Sequence, residues 1–250
     1  ALLRLELLWV ALRAQALLDR ERPQALVFWN GSHRYCRLLA ALAPEGCKTF
    51  FFENGLLPST TTLDEHGVNY LNSVPREAEF YRNYPYPVGQ DSAPAVLIPR
   101  KPRTEGPAPI ELPQQFIFIP FQDDRDSQVR LFSPWVRNMR ELFALGERLV
   151  EQTGATVVFK EHPSSREVYP DLHARTHERL LFANGNPTQQ LIEASQFVIT
   201  LNSTVGLESL LLGKPVLTLG QAFFTIEGLV MHADSVDQLL ALVRAYPQWP

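Results

Sequence analysis

From residue 116 to residue 219 the chain repeats one pattern: a short, nearly continuous apolar run, then a stretch whose apolar positions recur every three or four residues. The apolar runs are 116–121 (FIFIPF), 155–160 (ATVVFK), 179–182, 197–201 and 215–219. Runs of this kind, too short for helices and without polar alternation, suit strands buried on both faces. The stretches 134–152, 187–194 and 204–212 carry the helical period. Strands alternating with helices in this way call for a parallel sheet covered on both sides, an α/β fold.

The first third repeats the theme less fully. Residues 25–30 (ALVFWN) and 48–52 (KTFFF) flank a helical stretch at 33–43, giving strand, helix, strand. Ahead of them, 1–19 has Leu2, Leu5, Leu8 and Leu12 at helical spacing, which predicts a core-facing helix. Arg4, Glu6 and Arg13 interrupt it, so it is neither a membrane-spanning helix nor a secretory signal. A doubly wound domain normally opens on a strand and its phosphate-binding turn. A helix first, with no initiating Met, leads to the expectation that this N-terminal domain is incomplete here. Residues 91–113 are dense in proline and read as a linker. The expected division is therefore an N-terminal domain at 1–105 and a C-terminal domain at 114–250.

Composition excludes several classes. A net charge of -4 with scattered basic residues lacks the footprint of a nucleic-acid binder. Cys36 and Cys47 have neither metal-ligand nor redox spacing, no HExxH pattern occurs, and a reducing cytoplasm is the simplest setting. No metal or other cofactor is expected.

Ligands of open parallel sheets bind at the carboxyl ends of the strands, so polar residues just beyond each run are the candidates. Ser203 and Thr204 stand where a strand turns into a helix whose first N–H groups suit a phosphate. Either could instead simply cap that helix. Gly206 would allow close backbone approach, and Glu208, one turn on, could accept from ribose hydroxyls. Lys160 and His162 follow another strand and could stabilise a departing nucleotide. Gln122 heads the loop Gln122-Asp123-Asp124-Arg125-Asp126-Ser127-Gln128, whose acids are either a solvated turn or a source of a catalytic carboxylate. Glu53 interrupts an aromatic run at the end of the 48–52 strand.

QDDRDSQ after a strand, FKEHP, and NSTVGLESLLLGKPVLTLG together resemble the capsule polysaccharide biosynthesis family, the KpsS/KpsC group of retaining β-Kdo transferases, over about residues 50–231. Glu53-Asn54-Gly55, His162-Pro163 and Ser203-Thr204 also parallel motifs of bacterial sialyltransferases, with Asn54 where those carry an acid. Both groups use CMP-activated keto-sugar acids. The resemblance implies a GT-B fold, two Rossmann-like domains facing a cleft, with the acceptor on the N-terminal side and the CMP-sugar on the C-terminal side. It implies Asp126 as the nucleophile, Glu53 as the acid near the acceptor, and His162 and Ser203 as phosphate contacts. Glu208 would contact the ribose, with Gln122, Lys160 and Thr204 also on the donor side. The implied reaction carries Kdo from CMP-Kdo to a lipid-linked or glycan acceptor, in the cytoplasm and peripherally at the inner membrane. CMP-sialic acid or CDP-glycerol as donor, or a non-catalytic nucleotide-binding copy, are the alternatives.

Overall fold

The computed structural model of the chain describes residues 2–56, 60–85 and 107–249. Most of the proline-dense stretch lies outside them. The chain forms two compact units that meet between Val74 and Pro75, ahead of that stretch.

The first unit contains α1 (Leu2–Glu21), β1 (Ala25–Trp29), α2 (Arg34–Ala41), β2 (Lys48–Asn54) and β3 (Thr61–Asp64). β1 and β2 are parallel, with Val27 opposite Phe50, while β3 runs antiparallel to β2. This third strand, TTLD, has no apolar run, which is why periodicity does not mark it. β1 ends in two left-handed residues, Asn30 (φ 61°) and Gly31 (φ 79°). A Cβ on Gly31 would stand 2.3 Å from the Phe51 ring, so both the turn and the close approach demand glycine.

The helix α1 forms as its periodicity predicts, but its buried face is different. Leu2, Leu5, Leu8 and Leu12 are 84, 63, 56 and 66% exposed, whereas Ala14 and Leu18 are buried. At 100° per residue the buried pair lies roughly 140° around the helix from the Leu5–Leu12 stripe. Apolar residues occur on most of its circumference, so spacing alone does not choose the packed side. Among the described residues no helix is long and apolar enough to cross a membrane.

The second unit carries α3 (Ala78–Arg82), then β4 (Ile117–Pro120), α4 (Ser127–Phe132), α5 (Met139–Thr153), β5 (Val157–Lys160), α6 (Pro170–His173), β6 (Leu180–Phe182), α7 (Thr188–Ala194), β7 (Phe197–Thr200), α8 (Thr204–Leu211), β8 (Val216–Thr218), β9 (Met231–His232) and α9 (Val236–Ala245). Its six strands are all parallel and lie in the order β6-β5-β4-β7-β8-β9. By chain order this is 3-2-1-4-5-6, the doubly wound arrangement of dinucleotide-binding sheets. The five expected strands are present, and β9 is a sixth. Side chains of β4, β5 and β7 are almost fully buried, with packed clusters on both faces. α5 begins at a reciprocal cap: Asn138 Oδ1 accepts from the Glu141 N–H, and Glu141 Oε2 accepts from the Arg137 N–H. It ends on Gly154 at φ 72°. The helix expected from 134 therefore starts five residues later, at its cap.

Two measurements test this packing. A Cβ on Gly206 would meet the buried Phe224 ring at 2.8 Å and Thr200 Cγ2 at 3.1 Å. Gly206→Ala is thus expected to cost about 1–3 kcal/mol by overpacking, reversing the usual gain of roughly 0.5–1 kcal/mol for alanine in a helix. Thermal unfolding reads the sign, and a raised Tm would refute the contact. In the first unit, Asp64 accepts from the N–H groups of His66, Gly67 and Ser73 and from the Ser73 hydroxyl. Burial raises its pKa, but these donors outweigh it and hold the carboxyl down at about 2. Because the folded value is depressed, the stability it contributes is present above the ordinary carboxylate value near ~4 and is lost as pH falls toward 2. Amide exchange in 65–73 should accelerate over that window in the native protein, and much less in Asp64→Asn.

Candidate functional site

β5, β4 and β7 are consecutive in the sheet, and the candidate residues of the second unit follow their carboxyl ends. The reversal of strand order falls between β4 and β7. There the following segments leave toward opposite faces of the sheet and open a crevice at the strand ends. The β4–β7 ladder is short, pairing only Ile117 with Phe197 and Phe118 with Val198.

The loop after β4 divides three carboxylates among three tasks. Asp123 closes a turn: its Oδ1 accepts from the Arg125 N–H and its carbonyl from the Asp126 N–H. Asp124 holds the start of α5, accepting from the Met139 N–H at 2.8 Å, and lies beside the Tyr169 hydroxyl. Burial pushes the Asp124 carboxyl above its ordinary range, against the opposing Met139 bond. Burial, and then the charge of Asp124, likewise push the Tyr169 hydroxyl up. Asp126 is exposed and caps α4, Oδ1 accepting from the Gln128 N–H at 2.9 Å. The loop is therefore not simply a solvated acidic turn. It runs straight into α4, a helix the spacing of apolar residues does not announce. Among the described residues the buried Gln128 Oε1 finds no hydrogen-bond partner, an unmet acceptor on the first turn of that helix.

After β7, Ser203 caps α8, with Oγ accepting from the Val205 N–H at 3.2 Å, and the Gly206 N–H bonds the Ser203 carbonyl. Two of the N–H groups that looked open to a phosphate are thus already occupied. The Thr204 N–H and the two hydroxyls remain as donors at this helix start. The Phe224 ring and Thr200 of β7 leave no room for a side chain at Gly206. Glu208 is partly buried one turn further along α8.

Two donor-side expectations change character. Gln122 is 6% exposed and Asn202 only 2%. Gln122 Nε2 donates to Asn202 Oδ1 at 2.9 Å, and the Asn202 N–H donates back to Gln122 Oε1 at 3.3 Å. Gln122 is therefore engaged inside the protein. Lys160 Nζ donates to the carbonyls of Asn184 and Asn186, each at 2.7 Å, and burial lowers its pKa. With two of three donors so engaged, it fixes the loop after β6. His162, just beyond the end of β5, is partly buried, and its Nδ1 faces the Ser164 N–H and hydroxyl at 3.3 and 3.1 Å.

In the first unit, Glu53 at the end of β2 is oriented from both sides. Asn30 Nδ2 donates to its Oε2 at 2.7 Å, and the Asn54 N–H donates to its Oε1 at 2.9 Å. Asn30 and Asn202 escape a reading of titratable residues because neither ionises. Their signal is an Asn directly after an apolar run, 25–29 before Asn30 and 197–201 before Asn202. Among the described residues no group of three or more His, Cys, Asp and Glu side chains is placed to hold a metal.

The model of the family described as "Capsule polysaccharide biosynthesis protein" matches residues 107–244. Protein FixF of Sinorhizobium fredii is 38% identical over 222 residues, covering 86% of this chain and 53% of that protein. Capsule polysaccharide export protein KpsS of Escherichia coli is 24% identical over 250 residues, covering 74% and 64%. The chain thus spans between half and two thirds of the length of these relatives. Among solved structures, the KpsC beta Kdo 2,7 transferase of Thermosulfurimonas dismutans superposes with a TM-score of 0.62 at 20% identity, over 91% of this chain and 78% of that one. The KpsC beta Kdo 2,4 transferase of the same organism gives 0.63 at 19%, over 86% and 74%. At such identities these are likenesses of fold. With more than half of its length matched by the family model, the chain belongs to the capsule polysaccharide biosynthesis protein family.

Proposed function

We propose that this chain is the nucleotide-sugar-binding part of a glycosyltransferase that takes Kdo from CMP-Kdo and passes it to a lipid-linked or glycan acceptor of a surface polysaccharide. The observation that carries the reading is the switch point of the parallel sheet, where an exposed carboxylate, Asp126, and a hydroxyl-lined helix start, Ser203-Thr204, follow adjacent strands. Similarity to the capsule polysaccharide export protein KpsS and a fold shared with two KpsC beta Kdo transferases support the donor class. The reading includes the GT-B organisation implied by the resemblance, and action at the cytoplasmic face without a cofactor.

In this reading the phosphate of CMP lies near Ser203, Thr204 and His162, and its ribose near Glu208. Asp126 attacks the anomeric carbon with its free oxygen while the bond to the CMP phosphate breaks and CMP leaves with the electron pair. An acceptor hydroxyl then attacks the same carbon, surrenders its proton to a base, and releases Asp126. Two inversions give net retention. Glu53, held by Asn30, is assigned the acceptor step. One oxygen of Asp126 stays on the Gln128 N–H throughout, which holds the other in a fixed direction.

Calorimetric titration of CMP into Ser203→Ala and His162→Ala should show affinity weakened roughly 10-fold each, the ~1.4 kcal/mol expected for losing a hydrogen bond to a charged group. Unchanged affinity in both would put the nucleotide elsewhere. Asp126→Asn is the sharper probe of chemistry, because asparagine caps a helix as well as aspartate but is no nucleophile. It should lower transfer by about 10³-fold or more with CMP affinity nearly unaltered, whereas Asp123→Ala should do far less. Intact mass spectrometry with CMP-Kdo, CMP-sialic acid and CDP-glycerol in turn identifies the donor. A normal rate in Asp126→Asn would end the double-displacement mechanism.

A further inference from the structure

Beyond the β4–β7 ladder, the two loops that carry Asp126 and Ser203 have no continuing strand to hold them together. The connection is made by two amides. Gln122 and Asn202 bond each other through side chain and backbone, and Asn202 Nδ2 donates onward to the carbonyls of Gln128 at 3.0 Å and Phe132 at 3.2 Å. Those carbonyls belong to α4, whose Gln128 N–H holds Asp126 Oδ1. Ser203 follows Asn202 in the chain. Hydrogen bonds thus connect Asn202, the residue before Ser203, to Gln122 and to α4, the helix that Asp126 caps. They pass through residues that are 2% and 6% exposed.

We infer that the Gln122–Asn202 amide pair is a positioning element for group transfer: it sets the separation and direction of the Asp126 carboxylate relative to the phosphate end of the donor, without touching the donor itself. The inference rests on the function proposed above. Its physical content is that buried amides bonded at both oxygen and nitrogen to fixed partners have one low-energy arrangement, so the groups attached to them inherit that geometry. Misplacing a reacting atom by about 1 Å can cost on the order of 100-fold in rate while leaving ground-state binding intact.

The test is steady-state kinetics on the intact protein bearing Gln122→Met or Gln122→Glu, with Asn202→Ala as the more severe change. Gln122→Met keeps the volume and removes both side-chain bonds to Asn202. Gln122→Glu keeps the acceptor but sets an oxygen against Asn202 Oδ1. For each variant that remains folded by circular dichroism, kcat should fall on the order of 10- to 100-fold with the donor KM and the CMP Kd within about twofold. The rate is read per folded molecule, because loss of folded protein alone lowers the apparent kcat with KM unchanged; the donor KM and CMP Kd then separate positioning from binding. Normal kcat per folded molecule in both Gln122 variants would overturn the inference. So would a parallel rise in KM and Kd, which would make the pair part of the binding surface. CMP titration of the unsubstituted protein separates this failure from that of the underlying function. If it binds no CMP, the donor assignment falls and the positioning role with it. CMP binding with unaltered variant kcat removes the positioning role alone.

Discussion

Parallel strands that part at a switch point create a problem as well as a crevice: backbone and side-chain polar groups at the parting are shielded from water but no longer have a ladder to satisfy them. In this chain Asn202 resolves it. Its side-chain oxygen accepts from Gln122, and its side-chain nitrogen donates to two carbonyls of α4. The Phe132 carbonyl also accepts from the Gln221 N–H, so the segment after β8 is fastened to the same point. Leaving any of these groups buried and unpaired would cost ~1–3 kcal/mol each, a large share of a domain's net stability. The segments that follow β4, β7 and β8 are thus fastened to α4 around one asparagine.

That constraint explains how a run of three acids close together acquires separate roles. With α4 held at its carbonyls, its first turn is fixed and Asp126 becomes the cap. α5 starts where Asp124 and Asn138 meet its first N–H groups. Asp123 is left to shape the turn that leads from β4 into α4. Asp124 is partly enclosed and Asp126 is exposed. Identical chemistry is thus sorted by burial and by which helix each carboxylate serves.

A similar fastening recurs on the other side of β4. Lys160 binds the carbonyls of Asn184 and Asn186, and the Asn186 side chain accepts from the Ile110 N–H and donates to the Ile110 carbonyl. The amide thereby acts as a short piece of strand and ties the segment entering β4 to the loop after β6. A partly buried ammonium held on two carbonyls makes a stiff edge. His162, beyond the end of the same strand, inherits that stiffness. In the first unit the pairing of Asn30 with Glu53 does comparable work: β1 lies beside β2, so a turn residue from one strand aims the acid at the end of the other.

Local periodicity by itself determined the α/β class, five of the six strands of the second sheet, and the placement of Asp126, His162 and Ser203 just beyond strand ends, because these follow from residues a few positions apart. The motif residues likewise carried the family. Tertiary structure alone decided what depends on distant partners. The strand order that creates the switch point is one such feature. The Gln122–Asn202 pair joins residues eighty positions apart, and no composition or period marks it. The packed face of α1 was equally undetermined, since apolar residues surround it and only contact with the rest of its unit selects Ala14 and Leu18. β3 and α4 owe their form to a neighbouring strand and to a cap, so their own residues announce little. Lys160 and Gln122 look from the sequence like groups facing a ligand. They turn inward because a buried carbonyl or amide competes for the same donors, and burial is a property of the assembled fold.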